Sequence, residues 1–361
     1  MQIKLSLEPL QNWLPHQKPL LIAGPCSAET QLQVLETARL IKNIFPNFIY
    51  RAGLWKPRSR AGNFEGVGNK GLKWLQQVQK QYQVKVCTEV ANVKHVEACL
   101  KAGVDILWIG ARTTANPFSV QEIANALKGV DIPVMIKNPI SDDLDLWIGA
   151  IERMHLAGIN KIIAIHRGFF SPKENEYRNQ PLWEMPIKLK AALPELSIIC
   201  DPSHISGNPK LLPQIAQKAL DLDMDGLMIE THVNPKIALS DAAQQVTPKH
   251  LKKIIEGLVI RNQFSDSITF KNKLEHLREQ IDDLDNELVD LLARRMVISK
   301  KIGKYKKDNN VTILQIRRWK KILQTQTKHG KLIGFDEDFI RTLFTLVHDE
   351  SIKVQTSVMN K

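Results

Sequence analysis

The sequence predicts an α/β barrel of the TIM (β/α)8 type followed by an all-α three-helix domain, and three observations carry that prediction. Eight short apolar runs recur through residues 1–260, each followed by a stretch of helical character. The runs are continuous rather than alternating, as in strands covered on both faces. Beyond about residue 272 the apolar spacing becomes three and four, with no proline and no glycine before Gly303.

In order, the runs are PLLIAG (19–24), FIYRAG (48–53), VKVCTE (84–89), DILWIG (105–110), PVMIK (133–137), KIIAIHR (161–167), LSIICD (196–201) and DGLMIE (225–230). Helices between them fit right-handed crossovers, and eight such units in roughly 250 residues close a barrel. An open doubly wound sheet would place a glycine-rich phosphate loop after the first run, and none is there. Thr247 and Pro248 suit the cap and first turn of a last barrel helix over 247–262. The expected division is a barrel over 1–262, a linker over 263–272 and a helical domain over 273–361. In the last, Leu274, Leu277, Ile281, Leu284, Leu288 and Leu291 mark one helix over about 272–307. Its length would be ~54 Å. Helices over 313–329 and 336–357 follow, with Asp336 as a cap. So long an apolar stripe needs partner helices from a second chain.

The 361 residues carry 50 Lys and Arg against 38 Asp and Glu, a formal net charge of +12. The basic residues are scattered, aromatics make up 6%, and no nucleic-acid motif appears, which points to anionic small ligands instead. No apolar run suits a membrane span, and the N-terminus lacks the order of a secretion signal. Four cysteines without an export signal suggest reducing cytoplasm.

Barrel active sites lie at the C-terminal strand ends. There the sequence places Cys26, Arg51, Glu89, Arg112, Lys137, Arg167, His204 and Glu230, with Lys56, Arg58 and Asp241 in adjoining loops. Cations converging on one rim repel unless an anion sits among them. Strands 7, 8 and 1 are neighbours in a closed barrel, which brings Cys26, His204, Glu230 and Asp241 together. Thiolate, imidazole and two carboxylates make a mixed site for one divalent metal ion, with Mn, Fe, Co and Zn all admissible. Cys87, Cys99 and Cys200 read as buried filler.

The ordered motifs AGPCSAE, RAGLWKPRSR, GARTT, IKN, HRG, DPSH, IETH and ALSD resemble 3-deoxy-D-arabino-heptulosonate 7-phosphate (DAHP) synthase, in its short variety with about 18 residues before the first strand. The resemblance implies metal ligation by Cys26, His204, Glu230 and Asp241. It implies phosphoenolpyruvate binding by Arg51, Lys56, Arg112, Lys137 and Arg167. Erythrose 4-phosphate would meet Lys56, Pro57, Arg58 and Ser59. Carbon 3 of phosphoenolpyruvate would attack the aldehyde, with Lys56 or a metal-bound water as the proton source. The sibling octulosonate 8-phosphate synthases typically carry Ala-Asn where this chain has Pro57-Arg58.

The stretch LREQIDDLDNELVDLLARRMVISKKIGKYK (277–306) and ESIKVQ (350–355) resemble the all-helical chorismate mutases. Arg295 and Lys306 differ by ~20° around a helix and share a face, whereas Arg278 lies ~25 Å before Arg295. The resemblance implies an interlocked homodimer in which Arg278 of the partner joins Arg295 and Arg318 at the carboxylates of chorismate. Lys306 and Gln355 would hold the ether oxygen, and Ser351 would lie near a carboxylate. Gln315 and Trp319 stand where many members have acids for the substrate hydroxyl; Gln315 can still hydrogen-bond chorismate, whereas Trp319 cannot replace a carboxylate acceptor. The tail therefore reads as a working mutase, or alternatively as a regulatory module sensing chorismate or prephenate.

Overall fold

The computed structural model describes residues 5–57, 62–172, 176–262 and 264–360. The chain divides into two compact units, Met1–Gln263 and Phe264–Lys361.

The first unit is a closed parallel barrel whose strands pair in chain order, β8 returning to β1. The strands are β1 (Leu20–Gly24), β2 (Ile49–Arg51), β3 (Val86–Val90), β4 (Ile106–Ile109), β5 (Val134–Lys137), β6 (Ile162–His166), β7 (Ser197–Cys200) and β8 (Gly226–Glu230). Each falls within one of the eight apolar runs except β3, which extends one residue past its run to Val90. The interior layer includes Ile22, Ile49, Cys87, Ile106, Trp108, Met135, Ile163, Ile199 and Met228. The outer faces of the strands pack with the surrounding helices in a second core containing Leu75, Val78, Ile123, Trp147 and Leu189. Both faces of each strand are thus shut off from water, which accounts for the unbroken apolar runs. Cys87, Cys99 and Cys200 are buried, in keeping with a packing role.

Asn, Thr and Asp side chains start several of the barrel helices. Thr30 accepts from Gln33 N, Asn116 from Phe118 and Ser119 N, and Asp143 from Leu146 N. Thr247 caps the last barrel helix as expected, but that helix ends at Glu256, well short of residue 262, with Gly257 as its C-cap.

The second unit has three helices, Ile268–Asp308, Ile316–Leu332 and Glu337–Met359. The long helix begins inside the stretch expected to be a linker. Ser267 is the reason, since its hydroxyl accepts the Phe270 N–H and satisfies a first-turn donor. Asp336 caps the last helix through Asp338 and Phe339 N. The last helix packs on the C-terminal half of the long one, where Gly303 lets the chain approach Gln355. A Cβ on Gly303 would lie 3.0 Å from Gln355 Cα. The N-terminal half of the long helix has no such cover: Leu277, Ile281, Leu284, Leu288 and Leu291 are all exposed.

Gly24 closes β1 against β2 at φ +148°, where an added Cβ would stand 2.1 Å from Arg51 O. Gly24→Ala combines backbone strain with overpacking and should cost at least ~2 kcal/mol. A lowered thermal midpoint of the barrel transition checks this, and an unchanged midpoint contradicts it.

Candidate active sites

At the C-terminal end of the barrel, Cys26, Glu230 and Asp241 bring their ligand atoms within 4.8 Å of one another. Cys26 follows β1, Glu230 ends β8, and Asp241 sits in the loop after β8 at φ +46°, a conformation non-glycine residues seldom adopt. The Cys26 thiol donates to Asp241 Oδ2 at 3.3 Å. Burial, then the charge of Glu230, pushes that thiol up to about 12. A cation there would reverse the balance by favouring thiolate.

His204 stands slightly apart from these three. Its Nδ1 lies 2.7 Å from Asp201 Oδ2 and its Nε2 lies 3.6 Å from Glu230 Oε1. Asp201 also caps the short helix Pro202–Ser206, accepting the His204 N–H at 3.1 Å. One carboxylate thus sets both the backbone and the ring of the same histidine. Its second oxygen also takes Lys137 Nζ at 2.8 Å and lies 4.0 Å from Arg51 Nη1. Burial opposes the charge on Asp201, but His204, Lys137 and Arg51 hold it well below the usual carboxylate range.

Above these groups opens a cavity of about 540 Å³, lined among others by Lys56, Pro57, Glu89, Arg112, Lys137, Arg167, Arg178, His204 and Asp241. Four of the five cations expected to hold phosphoenolpyruvate therefore face one space. Arg51, the fifth, is buried. Its Nη2 donates to Glu230 Oε1 at 3.1 Å, and its guanidinium lies over the Trp108 ring at 5.0 Å. Its Nε and Nη1 are buried without a hydrogen-bond partner among the described residues. Lys56 Nζ donates to Cys26 O at 3.1 Å, and Arg112 Nη1 to Pro57 O at 3.4 Å. Arg167 Nη1 donates to Asn179 Oδ1 at 2.8 Å. Arg58 and Ser59, expected at the second phosphate, lie outside the described residues.

Several supporting residues were not assigned from sequence. Arg178 pairs with Asp241 Oδ1 at 3.2 Å. Gln244 Nε2 donates to Glu230 Oε2 at 2.7 Å. Gln245 links the loops after β1 and β8, accepting from Cys26 N at 2.9 Å and donating to Ser240 O at 2.8 Å. For Asp201 a signal exists, an Asp-Pro pair three residues before a histidine, which is a helix start. The tandem glutamines offer none.

In the helical unit Arg295 and Ser351 are hydrogen-bonded, and Arg295 Nη1 also donates to Val347 O at 3.3 Å. Lys306 Nζ donates to Gln355 Oε1 at 3.0 Å and also bonds Ile313 O. Ser351 and Gln355 are buried. Arg295, Lys306, Ser351 and Gln355 thus converge within one chain. Arg278 does not join them. It is exposed and pairs with Glu275 at 3.5 Å. Gln315 and Arg318 lie at the exposed start of the middle helix.

A closed α/β barrel here carries converging cations over a thiol–imidazole–carboxylate cluster, the arrangement of a barrel enzyme. The chain belongs to the DAHP synthetase I family, whose model matches residues 15–262. Residues 277–356 match the chorismate mutase type II family. A phospho-2-dehydro-3-deoxyheptonate aldolase of Thermotoga maritima is 28% identical over 238 residues, 66% of this chain and 68% of that protein. A 2-dehydro-3-deoxyphosphooctonate aldolase of Delftia acidovorans is 26% identical over 272 residues, 70% of this chain and 92% of its own length. The solved Thermotoga maritima DAHP synthase superposes with a TM-score of 0.59 at 28% identity, covering 66% of this chain and 67% of that one. A truncated form of the Thermotoga synthase gives 0.57 at 26%, covering 66% and 84%.

Asp201→Asn keeps the shape but removes the charge that His204, Lys137 and Arg51 share. Divalent-metal affinity, measured by titration of the purified chain, should fall roughly 10- to 100-fold. Unaltered affinity would mean that Asp201 does not orient His204.

Proposed function

We propose that the barrel condenses phosphoenolpyruvate with erythrose 4-phosphate to DAHP, and that the helical unit rearranges chorismate to prephenate. The cavity that gathers Lys56, Arg112, Lys137 and Arg167 beside His204 and Asp241 carries the first reading. The convergence of Arg295, Lys306, Ser351 and Gln355 carries the second.

The donor set suits a divalent cation. Two carboxylates and a thiol crowd together, and the nearby imidazole has its Nδ1 side already engaged by Asp201. Cys26, His204, Glu230 and Asp241 would hold that ion, which when bound supplies Lewis acidity toward the aldehyde oxygen. The chain's own residues do the rest. Lys137, Arg112 and Arg167 hold the phosphate of phosphoenolpyruvate, while Arg51 and Lys56 serve its carboxylate. Pro57, Arg58 and Ser59 receive erythrose 4-phosphate. Holding two polyanions against each other supplies proximity and offsets their repulsion. Carbon 3 of phosphoenolpyruvate forms the new bond to the aldehyde carbon, water adds at carbon 2, and inorganic phosphate leaves.

In the helical unit no nucleophile or proton transfer is required. Arg295 and Arg318 bind the carboxylates of chorismate, and Lys306 with Gln355 stabilises charge developing on the ether oxygen. The groups expected at the breaking bond are assembled, which favours turnover over a purely sensing role. The exposed seam from Leu277 to Leu291 supports an interlocked dimer in which the partner lends its Arg278. Among the described residues no helix is long and apolar enough to cross a membrane. Soluble substrates and a cytoplasmic setting fit that.

Removing divalent metal with a chelator should abolish DAHP formation and leave prephenate formation intact. Adding the ion back should restore the synthase. Loss of neither activity would contradict the metal assignment. For the shared mutase site, Arg278→Ala and Arg295→Ala should each lower kcat/KM by at least about 100-fold. Mixing the two variants under exchange should recover activity, because a mixed dimer contains one intact site. No recovery, with subunit exchange verified, would exclude a site shared between chains.

A further inference from the structure

His348 lies on the last helix, three residues before Ser351 and seven before Gln355, so the three share one helix face. Its neighbour Val347 offers the carbonyl that Arg295 binds. The imidazole is therefore beside the cluster assigned to chorismate. Its Nε2 is shut off from solvent and has no hydrogen-bond partner among the described residues. A buried polar atom left unpaired costs stability, and such atoms in native structures ask for a partner.

Trp319, on the middle helix, stacks face to face on this ring, with centroids 4.0 Å apart and planes 9° apart. The indole covers one face of the imidazole and fixes its plane, which leaves the ring nitrogens to act from its edge. Burial lowers the pKa of His348, Asp349 raises it, and the charges of Arg295 and Lys306 lower it further. The ring is thus neutral at neutral pH, with one nitrogen donating and one accepting.

Chorismate carries two carboxylates, an ether oxygen and one ring hydroxyl. Cations and amides take the first three. A hydroxyl is both donor and acceptor, and a neutral imidazole edge complements it. None of Arg295, Lys306, Gln315, Arg318, Trp319, Ser351 or Gln355 is acidic. Resting on the mutase reading, we propose that His348, held in plane by Trp319, hydrogen-bonds the ring hydroxyl of chorismate and so selects it over an analogue without that group.

The test compares kcat/KM for chorismate and for its analogue with hydrogen in place of the ring hydroxyl. The wild type, His348→Leu and His348→Gln are measured side by side. The wild type should prefer chorismate by about tenfold or more, the worth of one buried hydrogen bond. His348→Leu should lose about that factor on chorismate alone and treat the two substrates alike. His348→Gln keeps a donor and an acceptor at nearly the same reach and should regain most of the preference. Equal kcat/KM for the two substrates in the wild type overturns the proposal without recourse to any variant. So does full discrimination by a His348→Leu chain of undiminished helicity. In both cases chorismate turnover by the wild type leaves the mutase reading standing. A wild type that neither converts nor binds chorismate overturns that reading and this inference together.

Discussion

The barrel site depends on one buried carboxylate. Asp201 has no solvent exposure, and its Oδ2 serves Lys137, His204 and, more distantly, Arg51. Burying an ion costs several kcal/mol unless opposite charges and hydrogen bonds replace its water. Here the replacements are the same side chains proposed to act on metal and substrate. The same oxygen that makes the burial tolerable holds the lysine of the anion pocket and turns the histidine toward Glu230. Glu230 extends the arrangement to Arg51 and Gln244. The groups proposed to ligate a cation and those proposed to bind an anion are therefore built as one network.

This coupling explains why cations of the same sign tolerate their proximity. Arg51 and Lys137 answer to Asp201 and Glu230, and Arg178 answers to Asp241. Lys56, Arg112 and Arg167 also donate to main-chain or amide oxygens. The helical unit meets a different constraint. Its last helix covers only the C-terminal half of the long helix, so half an apolar stripe is left facing outward. A second chain is the economical cover, and it would bring a distant arginine to the cleft at the same time.

Much of this was legible in the sequence for physical reasons. Strands buried on both faces write continuous apolar runs, and all eight could be placed. Barrel closure then makes the ends of β7, β8 and β1 neighbours, which joins Cys26 to residues more than 170 positions away. Helical rise and phase alone separated Arg278 from Arg295 and Lys306. Most of what stayed hidden depends on tertiary pairing. Arg178, Gln244 and Gln245 act through partners set by loop paths that no local pattern encodes. The start at Ser267 was masked by the polar stretch around it. The stacking of Trp319 on His348 joins two helices, and neither residue announces the other. Apart from the Ser267 cap, which is local, the missing information was a contact between elements, not the nature of an element.

The most direct test of the account is the position of a bound metal and substrate in crystals of the full chain with Mn²⁺ and phosphoenolpyruvate, located by anomalous scattering. The account predicts a single manganese peak ligated by Cys26, His204, Glu230 and Asp241. It also predicts phosphoenolpyruvate in the adjoining cavity on Lys137, Arg112 and Arg167. Manganese elsewhere, or phosphoenolpyruvate bound away from these cations, would contradict the claim that one buried charge network assembles both halves of the site.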